Sequence, residues 1–464
     1  MCSSDLFVPD LAVSIPAPTD GGTTYTFRVR RVQYSNGRLV QPEDFRRAIE
    51  RLFRVQAGWM SYYTDIVGAA ECSSVRCDLS TGIVIDDAHR TITFHLTRPD
   101  PDFYYNMTSI ATAPVPPGTP WHYVGFTPIP GTGPYMVKNA DRHEIRYVRN
   151  PYFHQWSYAA QPDGNPDVII MRYGLSPAQE VRQVEQNKAD WSADGIPGNL
   201  LHEVKTRFPG QWHSLVPVTE TDWLQLNTTV TPFNDVRVRR ALNLAIDRAA
   251  IVRLYGGRLT ATPTCQILPP GLPGYRPYCP YTRRPGADGR WRAPDLARAR
   301  ALVAASGTRG DKVSAYGWIG GGPLCTTVMR YTARVLRELG YHAQAHIVPR
   351  AAPVNMSAVQ IGCDGLEDIE SAHFLDTFGC SSQANNDWYC NRHFDADVLR
   401  AQRLEEPNPR AANALWTKLD REATNRAIAL PLVNLHFYDF VSARLRNTPE
   451  DPSFGLIVDQ ASLR

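Results

Sequence analysis

No stretch of this 464-residue chain approaches the about eighteen consecutive apolar residues of a membrane-spanning helix, so no span is expected. Basic runs are missing too: 49 Lys and Arg against 46 Asp and Glu leave a net charge of +3, spread along the chain rather than gathered. Without a phosphate-tracking patch, nucleic acid is a poor partner. The opening Met1-Cys2-Ser3-Ser4-Asp5-Leu6 has neither the basic nor the apolar region of a secretory signal, and Cys2 does not sit in a lipoprotein signal. Either the chain is cytosolic or its natural N-terminus has been lost or replaced, and the spacing of the cysteines favours the second expectation. Also lacking are a G-x-S-x-G turn, a phosphate loop with its Lys and Ser/Thr, a C-x-x-C pair and an H-x-x-x-H helix. Their absence removes the usual local signatures of hydrolases, nucleotide binders and zinc sites.

Hydrophobic residues at 43% and charged residues at 20% are those of an ordinary soluble globular protein, so disorder is not expected. The length exceeds what one core organises, which predicts two or three domains. Many of the 37 prolines are paired or stand beside Gly, which predicts long ordered loops. Six of nine cysteines fall into close pairs: Cys72 with Cys77, Cys265 with Cys279, and Cys380 with Cys390, each in a loop-forming segment. Inert thiols and metal ligands are the alternatives, but local disulfides fit the spacing best and imply an oxidising compartment. Cys2, Cys325 and Cys363 are left over, and the last two read as buried free thiols.

Periodicity gives a mixed α/β reading. Thr24 to Val29 alternates as a strand, Ser35-Asn36-Gly37 is a tight turn, and Pro42-Glu43-Asp44 opens a helix with Phe45, Ala48, Ile49, Leu52 and Phe53 on one face. Strands are expected around Ile92 to Leu96, Tyr135 to Val137, Glu144 to Val148 and, as a buried one, Val168 to Tyr173. Residues 110–133 have no period and read as a crossing between domains. Helices are expected over 176–190, over Val236 to Tyr255 as one piece, and over Leu296 to Ala305. A strand at Val313 to Trp318, a helix ending at Gly340 and a strand from Tyr341 to Ile347 form one βαβ unit. Helical pattern returns over 395–427, interrupted by Pro407 and Pro409, before an extended tail from Leu430 to Val441.

No catalytic set stands out. His342 and His346 lie four apart on the polar face of a strand, which suits solvated side chains and not a metal site. The adjacent acids Asp86-Asp87 and Glu405-Glu406 sit in turns and do not converge. Gly320-Gly321-Gly322-Pro323 precedes a helix but lacks phosphate-loop partners, so it reads as a flexible turn.

Several segments, in one consistent order, resemble the family 5 extracellular solute-binding proteins of ABC transporters, the oligopeptide-binding-protein-like group. Tyr25-Thr26-Phe27-Arg28-Val29-Arg30, Tyr34-Ser35-Asn36-Gly37 and Pro42-Glu43-Asp44-Phe45 are similar to its opening block. Gly131-Thr132-Gly133-Pro134-Tyr135 resembles a later strand, and Arg149-Asn150-Pro151-Tyr152-Phe153 a turn that usually ends in Trp. Phe233 to Leu242, continuing through Ala245-Ile246-Asp247-Arg248, resembles the family's most recognisable helix. There Asp235 caps the helix, and Arg237 and Arg239 are expected to face outward or bridge strands. Phe7-Val8-Pro9-Asp10-Leu11-Ala12 resembles a segment just after the family's opening. The first lobe is therefore expected to lack a strand or more, with Met1 to Leu6 foreign to it.

The resemblance implies a type II periplasmic-binding-protein-like α/β fold: two lobes, a hinge, an extra inserted domain, and ligand enclosed between the lobes. Residues 1–23, 131–245 and 425–464 are expected as lobe I, 24–130 as the inserted α+β domain, and 246–424 as lobe II. In peptide-binding members an aspartate pairs with the ligand's α-ammonium, and the similar stretch here runs from Cys363 to Glu370. Asp368 falls in the equivalent place, but the customary Trp and Tyr beside it are replaced by Gly, Leu and Ile. Asp364 adds charge to what reads either as a cation-favouring site or as a solvated acidic loop. Trp223, Trp318, Trp388 and Tyr389 are the aromatic candidates for ligand contact, each also readable as core. The implied function is capture of oligopeptides or a related solute for ABC permease subunits, by an extracytoplasmic, membrane-tethered monomer without cofactor, metal or catalysis. The alternatives are a sensory module of a larger transcriptional regulator and, further off, an amidase- or peptidase-like hydrolase.

Overall fold

The computed structural model describes all residues except 1–6, 101–102, 216–219, 351, 369, 381, 383, 406, 452–454 and 464, and only the backbone at 61, 215, 367 and 451. Cys2 and Ile369 thus lie outside the described residues, as does the Glu367 side chain. The chain forms two compact units, one of Met1–Ser176, Arg444–Pro449 and Leu456–Arg464, the other of Pro177–Ala443 and Glu450–Gly455.

In the first unit, β1 (Thr24–Arg28), β2 (Ile83–Asp86) and β3 (Thr91–His95) make an antiparallel sheet in the order β1-β3-β2. Their inward residues Tyr25, Phe27, Ile83, Ile92 and Phe94 share a core with α1 (Pro42–Arg54) through Ile49, Leu52 and Phe53, and with Phe103 of α2 (Phe103–Asn106). Pro42 opens α1 as expected, and the buried Asp44 carboxylate accepts from the Tyr34 hydroxyl and the Gln41 N–H, both at 2.9 Å. A second sheet joins β4 (Tyr135–Ala140), β5 (Glu144–Arg149) and β6 (Val168–Arg172). The expectation of a buried β6 fails. Val168 and Ile170 are 38% and 39% exposed, because burial alternates along β6 and the face carrying Val168, Ile170 and Arg172 meets solvent.

The second unit begins with α3 (Pro177–Glu185) and α4 (Gly198–Arg207), which pack with β7 (Trp212–Leu215). Its centre is a six-stranded sheet that takes in β8 (Glu220–Leu226). The chain then passes through α5 (Val236–Ala245), α6 (Arg248–Leu254), β9 (Ala261–Pro263), α7 (Leu296–Ser306), β10 (Lys312–Trp318), α8 (Met329–Leu339), β11 (His342–Val348) and β12 (Ile361–Glu367). It closes with α9 (Ser371–Asp376), α10 (Arg392–Leu404), α11 (Pro409–Arg426), β13 (Leu430–Leu435) and β14 (Phe437–Phe440), which pairs with β7. The sheet order is β11-β10-β12-β8-β13-β9. β10 and β11 are parallel across α8, the expected βαβ unit.

Both faces of this sheet are covered. On β8, Leu224 and Leu226 enter a core with α5, α6, α7 and α8, whereas Trp223 enters a second core with α9, α10 and α11. β8 pairs antiparallel with β12 over seven residues and with β13 on its other edge. At this sheet β8 and β13, expected in lobe I, are hydrogen-bonded into one layer with β10, β11 and β12, expected in lobe II.

Local chemistry accounts for two further differences. The single helix expected from Val236 to Tyr255 breaks at Ile246, whose backbone is extended, and Asp247 starts α6 by accepting from the Ala250 N–H at 3.1 Å. Arg239, expected to face outward or bridge strands, is buried and donates to the carbonyls of Ala427, Phe233 and Arg426 at 2.9, 2.6 and 3.1 Å. Arg237 does stay at the surface, paired with Asp235.

Three disulfides fall where the cysteine spacing places them: Cys72–Cys77, Cys265–Cys279 and Cys380–Cys390. A fourth corrects the reading of free thiols, since Cys325 and Cys363 are bonded, with Cα atoms 5.2 Å apart. Sequence separation concealed it, because strand β12 brings Cys363 to the turn before α8. The glycines there have a steric reason: a Cβ on Gly317 or Gly321 would collide with Cys325.

Candidate functional site

The stretch from Cys363 to Glu370, open between ligand site and solvated loop, is for the most part a strand. β12 lies between β10 and β8 inside the six-stranded sheet and carries Asp364 directly opposite Trp223. The Asp364 carboxylate accepts from the Gly365 N–H at 2.9 Å and from the Asn386 amide at 3.4 Å. Burial pushes its acid up from the ordinary range.

Two more carboxylates stand nearby that sequence reasoning passed over. Asp222, next to Trp223 on β8, accepts a hydrogen bond from the Tyr255 hydroxyl, and burial, with Asp364 adding repulsion, moves it up to about 6. Asp387 accepts from the Leu226 N–H at 2.6 Å, and its complete burial raises it well above a normal carboxylate. The signal for Asp222 was a carboxylate on the same strand face as the apolar Leu224 and Leu226. Asp387 sits within the Cys380–Cys390 loop, a loop that Asn386 ties to β8 by accepting from the Gln225 amide at 2.6 Å.

Asp368 lies just past β12. Its carboxylate accepts from the Glu370 N–H at 2.9 Å and stands 2.8 Å from Nδ1 of His373, whose Nε2 is 3.8 Å from Glu370. Asp368 and His373 side chains remain 15% and 21% exposed, so solvent reaches the pair.

The aromatic candidates separate. Trp223 is 1% exposed inside the second core, with its ring 6.3 Å from that of Phe378, so it backs Asp364's strand instead of offering a face. Tyr389 packs at the edge of the same core and meets Phe394 at 6.2 Å. Trp388 is 44% exposed on the disulfide loop, with a left-handed backbone. Trp318, at the end of β10, packs against the first core and is not brought to the others. His346 stacks on Tyr316 at 4.9 Å and so has a packing role.

Residues 7–362 match the sequence model of the bacterial extracellular solute-binding proteins, family 5. The chain belongs to this family. It is 25% identical over 461 residues to the periplasmic oligopeptide-binding protein OppA of Escherichia coli, an alignment covering 91% of this chain and 77% of that one. Among solved structures, the clavulanic acid biosynthesis oligopeptide binding protein 2 superposes with a TM-score of 0.81 at 23% identity, covering 98% of this chain and 86% of that chain. The murein tripeptide binding protein MppA of Escherichia coli gives 0.77 at 19% identity, with 98% and 90% covered. The fold is thus the α/β type II periplasmic-binding-protein fold. Family 5 proteins are named for binding solutes, and neither the regulator nor the hydrolase reading gains support from these relatives. No described helix is long and apolar enough to cross a membrane.

Proposed function

We propose that this family 5 protein is the substrate-binding component of an ABC-type importer and takes an oligopeptide or a related small solute without altering it. The observation that carries the reading is the family match over 7–362, joined by relatives whose names specify peptide binding. It works as a monomer outside the cytoplasm, tethered to the membrane, and hands its solute to permease subunits. Four disulfides support an oxidising location.

Asp368 is the anchor for a cationic group of the solute. Its carboxylate is half-buried, where desolvation strengthens a charged hydrogen bond, yet open enough to solvent to be reached. Asp364 holds the preceding strand in place, with Trp223 behind it. Trp388 and Tyr389 are the aromatic surfaces offered to apolar parts of the solute, and Trp318 stands apart from them against the first core. Native mass spectrometry of the freshly purified protein tests this reading, because an enclosed ligand survives purification. A retained peptide-sized mass is expected, followed by calorimetric binding of that species. Cleavage of the peptide in place of retention, or no binding by any peptide, rejects it.

A further inference from the structure

Lys418, Arg421, Glu422 and Asn425 recur at helical intervals and share one face of α11. With Arg240 of α5 and with Arg426, they line a depression of about 520 Å³ in the second unit. Four cations stand there against one acid. Lys418 is paired with Asp397 at 2.6 Å and Arg426 with Glu422 at 2.9 Å. The other two form no ion pair with a carboxylate among the described residues. Arg240 donates twice to the Asn425 carbonyl, at 3.0 and 2.8 Å, which caps the end of α11. Arg421 lies 5.3 Å over the Tyr278 ring, and the Tyr278 hydroxyl in turn donates to the Asn425 side chain at 2.6 Å. Capping explains Arg240, but Arg421 is exposed and caps nothing.

We propose that this depression binds an anion carrying more than one phosphate group. A lone carboxylate would gain little, because it would find only Arg421 without an anionic partner: Lys418 and Arg426 already have Asp397 and Glu422, and Arg240 is engaged by the Asn425 carbonyl. A phosphate brings about −1.5 to −2 charges and three acceptor oxygens, enough to hold a guanidinium fork and a neighbouring cation together. The volume lies within the roughly 300–1,000 Å³ of small-molecule sites and is more than one phosphate fills. The lining suits an anion, whereas Asp368 suits a cationic group, so the anion is a ligand of different chemistry from the proposed solute. Its source is either a free phosphorylated small molecule or a lipid headgroup with more than one phosphate.

The test is calorimetric titration of sodium tripolyphosphate at low ionic strength into the wild type and into Lys418→Gln/Arg421→Gln. Both side chains are exposed, so the variant keeps its fold, and Arg330→Gln, exposed on α8, controls for general charge. One-to-one binding is expected, weakened at least tenfold in the double variant and unchanged in the control. Sedimentation with cardiolipin vesicles, against phosphatidylcholine vesicles, separates the sources. Vesicle binding that tripolyphosphate displaces assigns a lipid headgroup, and tripolyphosphate binding without vesicle binding assigns a free ligand. The proposal is overturned if the double variant binds as the wild type does, if the control loses as much, or if neither probe binds. Preference for a blocked oligoglutamate over tripolyphosphate at this face also overturns it.

Discussion

Asp368 spends its two oxygens on the Glu370 N–H and the His373 ring, which fixes the carboxylate's direction before any ligand arrives. A preset charge of this kind loses little conformational entropy on binding. Asp368→Ala is therefore expected to weaken a free-amine peptide by at least about 1.5 kcal/mol, roughly the scale of a charged hydrogen bond. The N-acetylated form of the same peptide should lose far less. Calorimetry on the two peptides decides this, and an equal loss for both would remove the role. A second prediction concerns Asp420, wholly buried, which accepts from the Ile267 and Leu268 N–H groups at 3.0 and 3.1 Å and whose acid is raised by burial to about 7. Between the ordinary carboxylate range and neutrality the folded chain holds a proton that the unfolded chain has released. Asp420's contribution is thus complete at acid pH and fades as pH rises through about 7, with Asp222 following the same sign through about 6. Asp420→Asn should flatten that decline in melting temperature, by on the order of 1.4 kcal/mol for each pH unit involved. An unchanged profile would mean that the carboxylate stays ionised. Residue identity gave Asp368 and Asp364 as acids, but burial depends on neighbours distant in the chain. That is why Trp223 stayed open between core and ligand contact, and why the burial of Arg239 was not foreseen.

At the scale of elements, patterns of period and capping were readable wherever one face of the element meets solvent. α1 and α8 have a polar side, and both lie close to their expected limits. β12 gave no such pattern: it starts buried at Ile361–Cys363 and continues through Asp and Gly residues, so the segment stayed open between a ligand site and a solvated loop. The break between α5 and α6 was legible only through Asp247. Its side chain supplies the first bond of a new helix while Ile246 is 0% exposed. Asp247→Ala should cost about 1 kcal/mol in denaturant unfolding, the usual worth of such a cap. An undiminished midpoint would show that packing of Ile246 alone sets the break. The Cys325–Cys363 bridge works at the same scale, tying the turn before α8 to β12 across 38 residues of chain. In the loop-entropy account a closure of that length stabilises by about 4 kcal/mol.

For the whole molecule, motifs in their order announced the family, and the family carries the fold. Its two units gather distant segments, and within the second β8 and β13, far apart in sequence, join β12 and β9 by hydrogen bonds that no local pattern announces. That division has a thermodynamic consequence. Among the described residues the first unit contains one disulfide, Cys72–Cys77, separated by 5 residues; the second contains three, with separations of 14, 38 and 10. Loop closure assigns about 2 kcal/mol to the short bridge and about 3–4 kcal/mol to each of the others. Reduction should therefore leave the first unit's melting nearly in place and lower that of the second by many degrees. Scanning calorimetry with and without reductant, with limited proteolysis to assign each transition, reads this directly. A displacement confined to the transition of residues 7–176, or equal for both, would show that the bridges of the second unit do not limit its unfolded chain.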